Sequence, residues 1–330
     1  MKKSVITGVS IIALATATPL AAQNSSTITQ GGTGNEADVV QSGGSISTID
    51  QTGTDGDIDV TQDGSGNESD VTQSGYTETV TVDQSGGTDN AVTITQGGEN
   101  NNAEATQTGS TNTATITQDG LNSPVFLDQV GADNQAQITQ GGDDTNSVDL
   151  DQTGDMNVAT VSQAQLGVTY FSNITIVQDG AGNNAAVTQA ATRVTDFSDI
   201  NITQTGMANT STTTQEGGYS GSTITVTQDG DTNNATSTQD HGYNGYGQSI
   251  TVTQDGDLNT SNAVQGDGST IYNNTIDVDQ VATGANSTVS QSGGNGNSAT
   301  VAQYVEGHIS TVNQIGNGNS AVITQGAGVP

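Results

Sequence analysis

Cysteine and tryptophan are absent from this chain, and basic, proline and aromatic residues are scarce. Its 330 residues include 3 lysines and arginines, 3 prolines and 3% aromatic residues, against 35 aspartates and glutamates. The lack of cysteine excludes a disulfide framework and thiolate metal sites. A formal net charge of −32 excludes binding to nucleic acid or to anionic lipid by charge.

What is abundant points to strands and turns. Low hydrophobicity with high net charge is typical of disorder, which is the simplest interpretation of the composition. Disordered chains, however, are rich in Lys, Pro and Glu, whereas this chain is rich in Thr, Val, Ile, Asn, Gln and its 44 glycines. That mixture favours strands, tight turns and stacked amides.

The first residues are typical of a secretory signal peptide. Lys2 and Lys3 precede an apolar run from Val5 to Ala17, and Pro19 and small residues follow. We expect cleavage after Ala22, so that residues 1–22 are the signal peptide and residues 23–330 form one repeat domain. No later segment of the sequence is apolar enough to insert into a membrane.

Glutamine marks an internal repeat, and most steps between successive marker glutamines are 11 residues. From Gln163 to Gln291 a step of 11 alternates with a step that is usually 15, which indicates one fixed turn and one variable turn. The sequence therefore predicts 26 strands in about 13 two-strand rungs of about 22–26 residues each. The glutamines stand at 30, 41, 51, 62, 73, 84, 96, 107, 118, 129, 140, 152, 163, 178, 189, 204, 215, 228, 239, 254, 265, 280, 291, 303, 314 and 325.

Alternation with a period of two assigns faces to these strands. Ile224, Val226 and Gln228 share one face, and Thr223, Thr225 and Thr227 share the other. Buried residues before the fixed turn are large, whereas those after it, such as Ala185 and Ser211, are small. Two sheets with this pattern can interdigitate, which predicts an all-β, flattened parallel β-solenoid of the cross-β kind.

The fixed step carries the pattern Gln-x-Gly-x-x-Asn-x-Ala/Ser-x-x-x-Gln. In a parallel stack each of its amides lies about 4.8 Å from its counterparts, so amide can bond to amide. We predict that these ladders drive self-assembly, and that a glycine with positive φ makes each turn. The predicted ladder residues are Gln178, Asn183, Gln189, Gln204, Asn209, Gln215, Gln228, Asn233, Gln239, Gln254, Asn259, Gln265, Gln314, Asn319 and Gln325, and the turn glycines are Gly180, Gly206, Gly230, Gly256 and Gly316.

Aspartate often stands between the glutamine and the glycine, for example at Asp179, Asp229 and Asp255. Stacked like charges repel by about 1 kcal/mol per pair in water. We interpret these residues as gatekeepers that slow premature stacking. Assembly is then expected to accelerate at low pH or high salt.

Catalytic and metal-binding constellations are not visible. The only histidines are His241 and His308, and no cluster of His and carboxylates has the spacing of a zinc or nucleophile site. Asp55, Asp57 and Asp59 begin like a calcium loop, but Val60 stands where glycine is needed. We predict no enzyme and no cofactor, with weak calcium binding to outer aspartate rows as an open alternative.

Aromatic residues recur in the long turns of the second half. We interpret them as a stacked edge stripe, either a lid over the sheet sandwich or an adhesive surface. They are Tyr170, Phe171, Phe197, Tyr219, Tyr243, Tyr246 and Tyr272.

The motif Ser-x5-Gln-x-Gly-x2-Asn-x-Ala-x3-Gln resembles the curlin repeat of bacterial curli subunits. It is complete from Ser222 to Gln239 and from Ser172 to Gln189, and full or partial copies cover about residues 24–326. The resemblance implies secretion through the outer membrane and assembly into extracellular amyloid fibres of the biofilm matrix, with inward Gln and Asn driving fibre formation. This chain is longer than that pattern suggests and nearly lacks basic residues.

The predicted function is therefore self-templated polymerisation. A last repeat near the C-terminus and a first motif at Gln30 predict uncapped edges that add head to tail. The expected partner is the chain itself, with a nucleator subunit and an outer-membrane secretion channel as further candidates. The alternative is a monomeric secreted solenoid that binds ice through its threonine rows, or an adhesin.

Overall fold

The computed structural model describes residues 23–143, 145–170, 172–191, 195–196, 198–216, 221–240, 247–266 and 271–326. Every regular element in these ranges is a β-strand. None of them contains a helix of the length and apolarity needed to cross a membrane. The predicted signal peptide lies outside the described residues.

The strands form two parallel sheets. Sheet 1 has 14 strands, and the two-residue strand β16 pairs with β13 beside its main path. The strands of sheet 1, in spatial order, are β1 (Ser25–Gln30), β3 (Ile46–Gln51), β5 (Glu68–Gln73), β7 (Ala91–Glu99), β9 (Thr113–Leu121), β11 (Gln135–Asp143), β13 (Val158–Tyr170), β15 (Asn184–Ala191), β18 (Thr210–Glu216), β20 (Asn234–Asp240), β22 (Thr260–Gln265), β24 (Asn286–Ser292) and β26 (Ile309–Ile315), with β16 (Thr195–Asp196) beside them.

Sheet 2 has 13 strands, which alternate along the chain with those of sheet 1. They are β2 (Glu36–Ser42), β4 (Asp57–Ser65), β6 (Thr79–Thr88), β8 (Asn102–Ser110), β10 (Pro124–Ala132), β12 (Ser147–Asp155), β14 (Asn173–Ala181), β17 (Asp199–Met207), β19 (Thr223–Asp229), β21 (Ser249–Asp255), β23 (Thr275–Gln280), β25 (Ser298–Gln303) and β27 (Ser320–Gln325).

The stacking is in register on the marker glutamines. In sheet 2, for example, Gln204 pairs with Gln178 on one side and with Gln228 on the other. In sheet 1, Gln215 pairs in the same way with Gln189 and Gln239. The predicted β-solenoid is thus confirmed, and its rungs extend over about 60 Å at the usual strand spacing.

The core is a single seam between the two sheets, and each strand contributes every second residue to it. Ile174 and Ile176 of β14 are 0% exposed, as are Ala185 of β15 and Ser211 of β18. Large residues of sheet 2 therefore face small residues of sheet 1, as the sequence pattern predicts.

One rung exchanges this arrangement between the sheets. In β7 of sheet 1 the seam residues are the large Val92 and Ile94, and in β8 of sheet 2 they are the small Ala103 and Ala105, all buried. Because one strand gains the volume that the other loses, the seam stays filled.

The turns differ from the sequence-based expectation in one respect. The turns from sheet 2 to sheet 1 are fixed in length, but those from sheet 1 to sheet 2 are long only in the rungs between Gln163 and Gln280. In the first and last rungs both turns are tight. The copies of the pattern that begin at Gln30, Gln96 and Gln314 accordingly lie in sheet 1-to-2 turns rather than in the fixed ones.

Candidate functional site

The glutamines of sheet 1 form one continuous amide ladder. Each Nε2 donates to the Oε1 of the next rung, as in Gln189 to Gln215 at 2.8 Å and Gln215 to Gln239 at 2.8 Å. The other bonds of this ladder join Gln30, Gln51, Gln73, Gln96, Gln118, Gln140, Gln163 and Gln189 in order, and then Gln239, Gln265, Gln291 and Gln314.

The glutamines of sheet 2 form a second ladder with the same direction. Gln178 donates to Gln204, Gln204 to Gln228 and Gln228 to Gln254, each at 2.8 Å. The remaining bonds join Gln41, Gln62, Gln84, Gln107, Gln129, Gln152 and Gln178, and then Gln254, Gln280, Gln303 and Gln325.

Each ladder amide also holds the two sheets together. The Nε2 of Gln228 in sheet 2 donates to the carbonyl of Thr210 in sheet 1 at 3.0 Å. In the opposite sense, the Nε2 of Gln239 donates to the carbonyl of Thr223 at 2.9 Å. Both side chains are 0% exposed, so bonding along and across the stack satisfies amides that would otherwise be costly to bury.

The ladders have complementary ends. At the last rung, Gln314 and Gln325 donate from Nε2 to Ser298 and Ile309 carbonyls, and neither amide has a following rung among the described residues. At the first rung, the Oε1 atoms of Gln30 and Gln41 accept no hydrogen bond from any described residue. A free donor thus ends one side of each ladder and a free acceptor ends the other.

Asparagines form a third array in the fixed turns, and they bind the backbone rather than one another. The Oδ1 of Asn183 accepts from the backbone N–H of Asn209 at 3.0 Å, and its Nδ2 donates to the carbonyl of Gly206 at 3.0 Å. The same two bonds link Asn209 to Asn233 and Gly230.

This differs from the amide-to-amide bonding expected for Asn, because its shorter side chain ends beside the turn backbone. The array, which we call the asparagine column, contains Asn67, Asn90, Asn112, Asn134, Asn157, Asn183, Asn209, Asn233 and Asn259.

The column ends where the next rung has alanine. The Oδ1 of Asn259 still accepts from the backbone of Ala285 at 2.9 Å, but its buried Nδ2 has no partner among the described residues. The predicted Asn319 lies in a sheet 1-to-2 turn instead, where its backbone N–H donates to Asn297 Oδ1 at 2.9 Å.

The predicted turn glycines all have positive φ, from 97° at Gly316 to 129° at Gly180. A Cβ on Gly180 would overlap the carbonyl oxygen of Gly206, and one on Gly206 or Gly230 would overlap the next glycine of the stack. Gly256 instead faces Ala282 at 3.2 Å, and Gly316 has no backbone so close. Conformation and close stacking therefore both require glycine at three of the five positions.

The three predicted gatekeepers are exposed, but only two of them stack. Asp229 and Asp255 pair directly in register, whereas Asp179 lies between Thr153 and Thr205. Repulsion between gatekeepers in one chain is thus confined to the Asp229–Asp255 pair. Their role in the timing of assembly, like that of the ladders in assembly itself, stays a prediction.

Sequence reasoning missed a buried carboxylate in the second set of turns. Glu78 is 1% exposed and stands in the place that Asn101 takes one rung later. Its Oε2 accepts from the backbone of Gly75 at 3.0 Å, and its Oε1 has no partner among the described residues. Burial raises the pKa of this carboxyl, although backbone hydrogen bonds from Gly75 and Ser74 oppose the shift. The signal was available, because Glu78 follows Gln73 by the same five residues that separate Asn101 from Gln96.

The other candidate groups form no centre in the described part of the chain. No group of three or more His, Cys, Asp or Glu side chains there could hold a metal ion. His241 lies outside the described residues. So does most of the predicted aromatic stripe, namely Phe171, Phe197, Tyr219, Tyr243 and Tyr246, together with the side chain of Tyr170.

Comparison with known proteins identifies the repeat. The family model for the curlin associated repeat matches residues 53–86 and 87–120, so this chain contains two consecutive curlin associated repeats, in agreement with the motif in its sequence. The match lies where both turns are tight and successive glutamines are 11 or 12 residues apart. No curated protein matches the chain.

Proposed function

We propose that this chain, as a carrier of curlin associated repeats, is a secreted structural protein that polymerises end to end into extracellular amyloid fibres of the curli type. The observation that carries the proposal is the complementarity of its ladder ends. Such fibres would serve the biofilm matrix and surface adhesion, and a nucleator subunit and an outer-membrane channel are the partners that the repeat suggests.

The addition of a second copy follows the pattern inside the chain. Strand β1 of the incoming copy pairs with β26, and its β2 pairs with β27, which continues both sheets in parallel. Gln314 Nε2 then donates to Gln30 Oε1, and Gln325 Nε2 donates to Gln41 Oε1. Because the contact is heterologous, each addition recreates the same end and growth does not close.

Apolar burial supports the same contact. Ile28 and Val39 at the first rungs and Ile323 at the last are packed against the core but only partly buried. Another rung would bury them as fully as Ile200 or Ile224, which are 0% exposed. Burial of apolar surface contributes about 25 cal/mol per Å², in addition to the backbone hydrogen bonds.

Seeded growth of the purified secreted protein tests this proposal. We expect filaments with a fibre reflection near 4.8 Å and growth at least tenfold faster with seeds. The double variant Gln314→Glu, Gln325→Glu should elongate at least tenfold more slowly, because it puts charge into the seam. Its control, Ser320→Glu with Thr324→Glu, adds the same charge to outward positions of β27 and should elongate like the unaltered protein. Equal rates for both variants, or a protein that stays monomeric when seeded, would overturn the proposal.

A second candidate function rests on the outward threonines of sheet 2. Thr223, Thr225 and Thr227 of β19 stack in register on Ser249, Thr251 and Thr253 of β21. Such a hydroxyl lattice suits a monomeric module that binds ice or another regular surface. Thermal hysteresis by a monomeric protein that does not seed would favour this candidate.

A further inference from the structure

The outward faces of the two sheets differ in charge. Sheet 1 carries three outward acidic residues, Asp50, Glu68 and Asp70, and all of them lie in β3 and β5. The outward acidic residues of sheet 2 are distributed along the stack, at Glu36, Asp38, Asp57, Asp59, Asp83, Glu104, Asp128, Asp149, Asp151, Asp199, Asp277 and Asp279.

Sheet 1 presents an uncharged surface from β7 to β26. We call this surface the neutral face, and it consists of the outward residues that precede the marker glutamine in each of these strands. Its acidic neighbours, such as Asp119, Glu216 and Asp240, follow the glutamine and border the face at one edge. The hydroxyl residues of the neutral face are Thr93, Thr95, Thr113, Thr115, Thr117, Thr139, Thr160, Ser162, Thr188, Thr210, Thr212, Thr214, Thr236, Thr238, Thr260, Thr288, Ser290 and Thr311.

The acidic face already opposes further charge. Partial burial and the neighbouring Asp149 and Asp128 raise the pKa of Asp151, and burial with Asp57 and Asp38 raises that of Asp59. A second acidic face would add to this repulsion. In a chain with a net charge of −32, the neutral face is thus the broad surface where another copy meets the least opposing charge.

We infer that two stacks of this chain pair laterally through the neutral face, and that both acidic faces then point outward. The partner is a second copy, and for filaments the inference rests on the proposed end-to-end assembly. Ten strands at about 4.8 Å, each about 20 Å long, give roughly 950 Å² per partner. A stable interface needs about 800 Å² per partner.

Periodicity favours a second copy over other occupants. Both surfaces repeat at the same strand spacing, so outward threonines of one stack can fit between those of the other along its whole length, as in a dry zipper between sheets. End-to-end growth then multiplies the contact, because each added chain is already held beside its lateral neighbour.

Mass per unit length, measured by scanning transmission electron microscopy, tests this inference. We expect two chains per stack length of about 62 Å. The variant Thr160→Asp, Thr212→Asp, Thr236→Asp places charge on the neutral face and should halve the value. The control Thr175→Asp, Thr225→Asp, Thr251→Asp puts the same charges on the matching rungs and spacing of sheet 2, and should leave it unchanged.

The outcomes separate the two proposals. Unaltered filaments with one chain per stack length, or equal loss of pairing in both triple variants, overturn lateral pairing but leave end-to-end growth intact. If no filaments form, end-to-end growth fails and sedimentation decides the remainder. A soluble dimer that only the neutral-face variant dissociates supports pairing, whereas a monomer, including one with thermal hysteresis, overturns it.

Discussion

The two sets of turns solve the same problem with different residues. Turns from sheet 2 to sheet 1 repeat asparagine from Asn67 to Asn259, and from β4 to β23 each is one tight loop. The opposite turns place a mixed series at the corresponding point, namely Asn35, Gly56, Glu78, Asn101, Ser123, Asn146, Ser172, Ser198, Ser222, Gln248, Asn274, Asn297 and Asn319.

The difference shows what fixes the length of a turn. Each asparagine of the column binds the next rung twice, through Oδ1 and Nδ2, so its loop cannot lengthen without loss of both bonds. At the long turns the buried residue is often serine, and the ladder glutamine closes the loop instead. Gln189 Nε2, for example, donates to the carbonyl of Ser198 at 3.1 Å.

An insertion should give the largest contrast between the two sets. A Gly-Ser-Gly-Ser insertion between Ala208 and Asn209 should disrupt the bonds of Asn209 to Asn183, Thr205 and Gly230, each worth about 1–3 kcal/mol. The same insertion after Glu216 lengthens a variable turn and should cost about 0.6 kcal/mol or less. Thermal unfolding by circular dichroism measures both, and equal losses would refute the distinction.

Single substitutions should show the same contrast at smaller scale. Asn209→Ala leaves the backbone N–H of Asn233 and the carbonyl of Gly230 without their buried partner, at about 1–3 kcal/mol each. Ser222→Ala removes a buried hydroxyl that has no partner among the described residues and should be nearly neutral. The free energy of unfolding in denaturant gives both values. A costly Ser222→Ala would show that the second turns are as tightly specified as the first.

Glu78 makes one of the mixed turns sensitive to pH. Its raised pKa means that the protonated form favours folding, so this contribution is present at low pH and is lost as pH rises through the folded-state pKa. Glu78→Gln should therefore stabilise the chain by about 1–3 kcal/mol at pH 7 and change it less at pH 4. Unfolding across pH measures this. The exposed Glu99→Gln is the control, and an identical pH profile for both would contradict the expectation.

The gatekeepers should give the smallest effect. Asp229→Asn removes a stacked pair with Asp255, worth at most about 1 kcal/mol, whereas Asp179→Asn removes a charge between two threonines. Dye-binding kinetics should show faster assembly and weaker salt dependence for Asp229→Asn only. If the two variants behave alike, direct stacking is not what slows assembly.

The sequence alone predicts the strands and the glutamine ladders well, because the alternation in segments such as Ile224–Gln228 and the spacing of the glutamines determine face and register together. It does not predict what the asparagines bind. Asn183 differs from Gln178 by one methylene, and only the turn geometry shows that this shorter side chain ends at the backbone of Asn209 and Gly206.

Glu78 and the neutral face were accessible but easily missed. The consensus was built on complete copies of the repeat, and Gln73 begins a degenerate one, so the buried position five residues later was not examined. The charge difference between faces appears only when the strands are sorted into two sheets. In chain order, Asp149 and Asp151 of β12 are followed directly by the uncharged Thr160 and Ser162 of β13.

The direction of the glutamine bonds gives the molecule an electrical sense. Every ladder Nε2 points toward the following rung, as from Gln178 to Gln204, so the side-chain dipoles add along the axis instead of cancelling. The first rung is then the negative pole and the last rung the positive pole, in analogy to the dipole of a helix. Dissolved ions and approaching molecules therefore meet two unlike tips, even though the rungs between them are nearly the same.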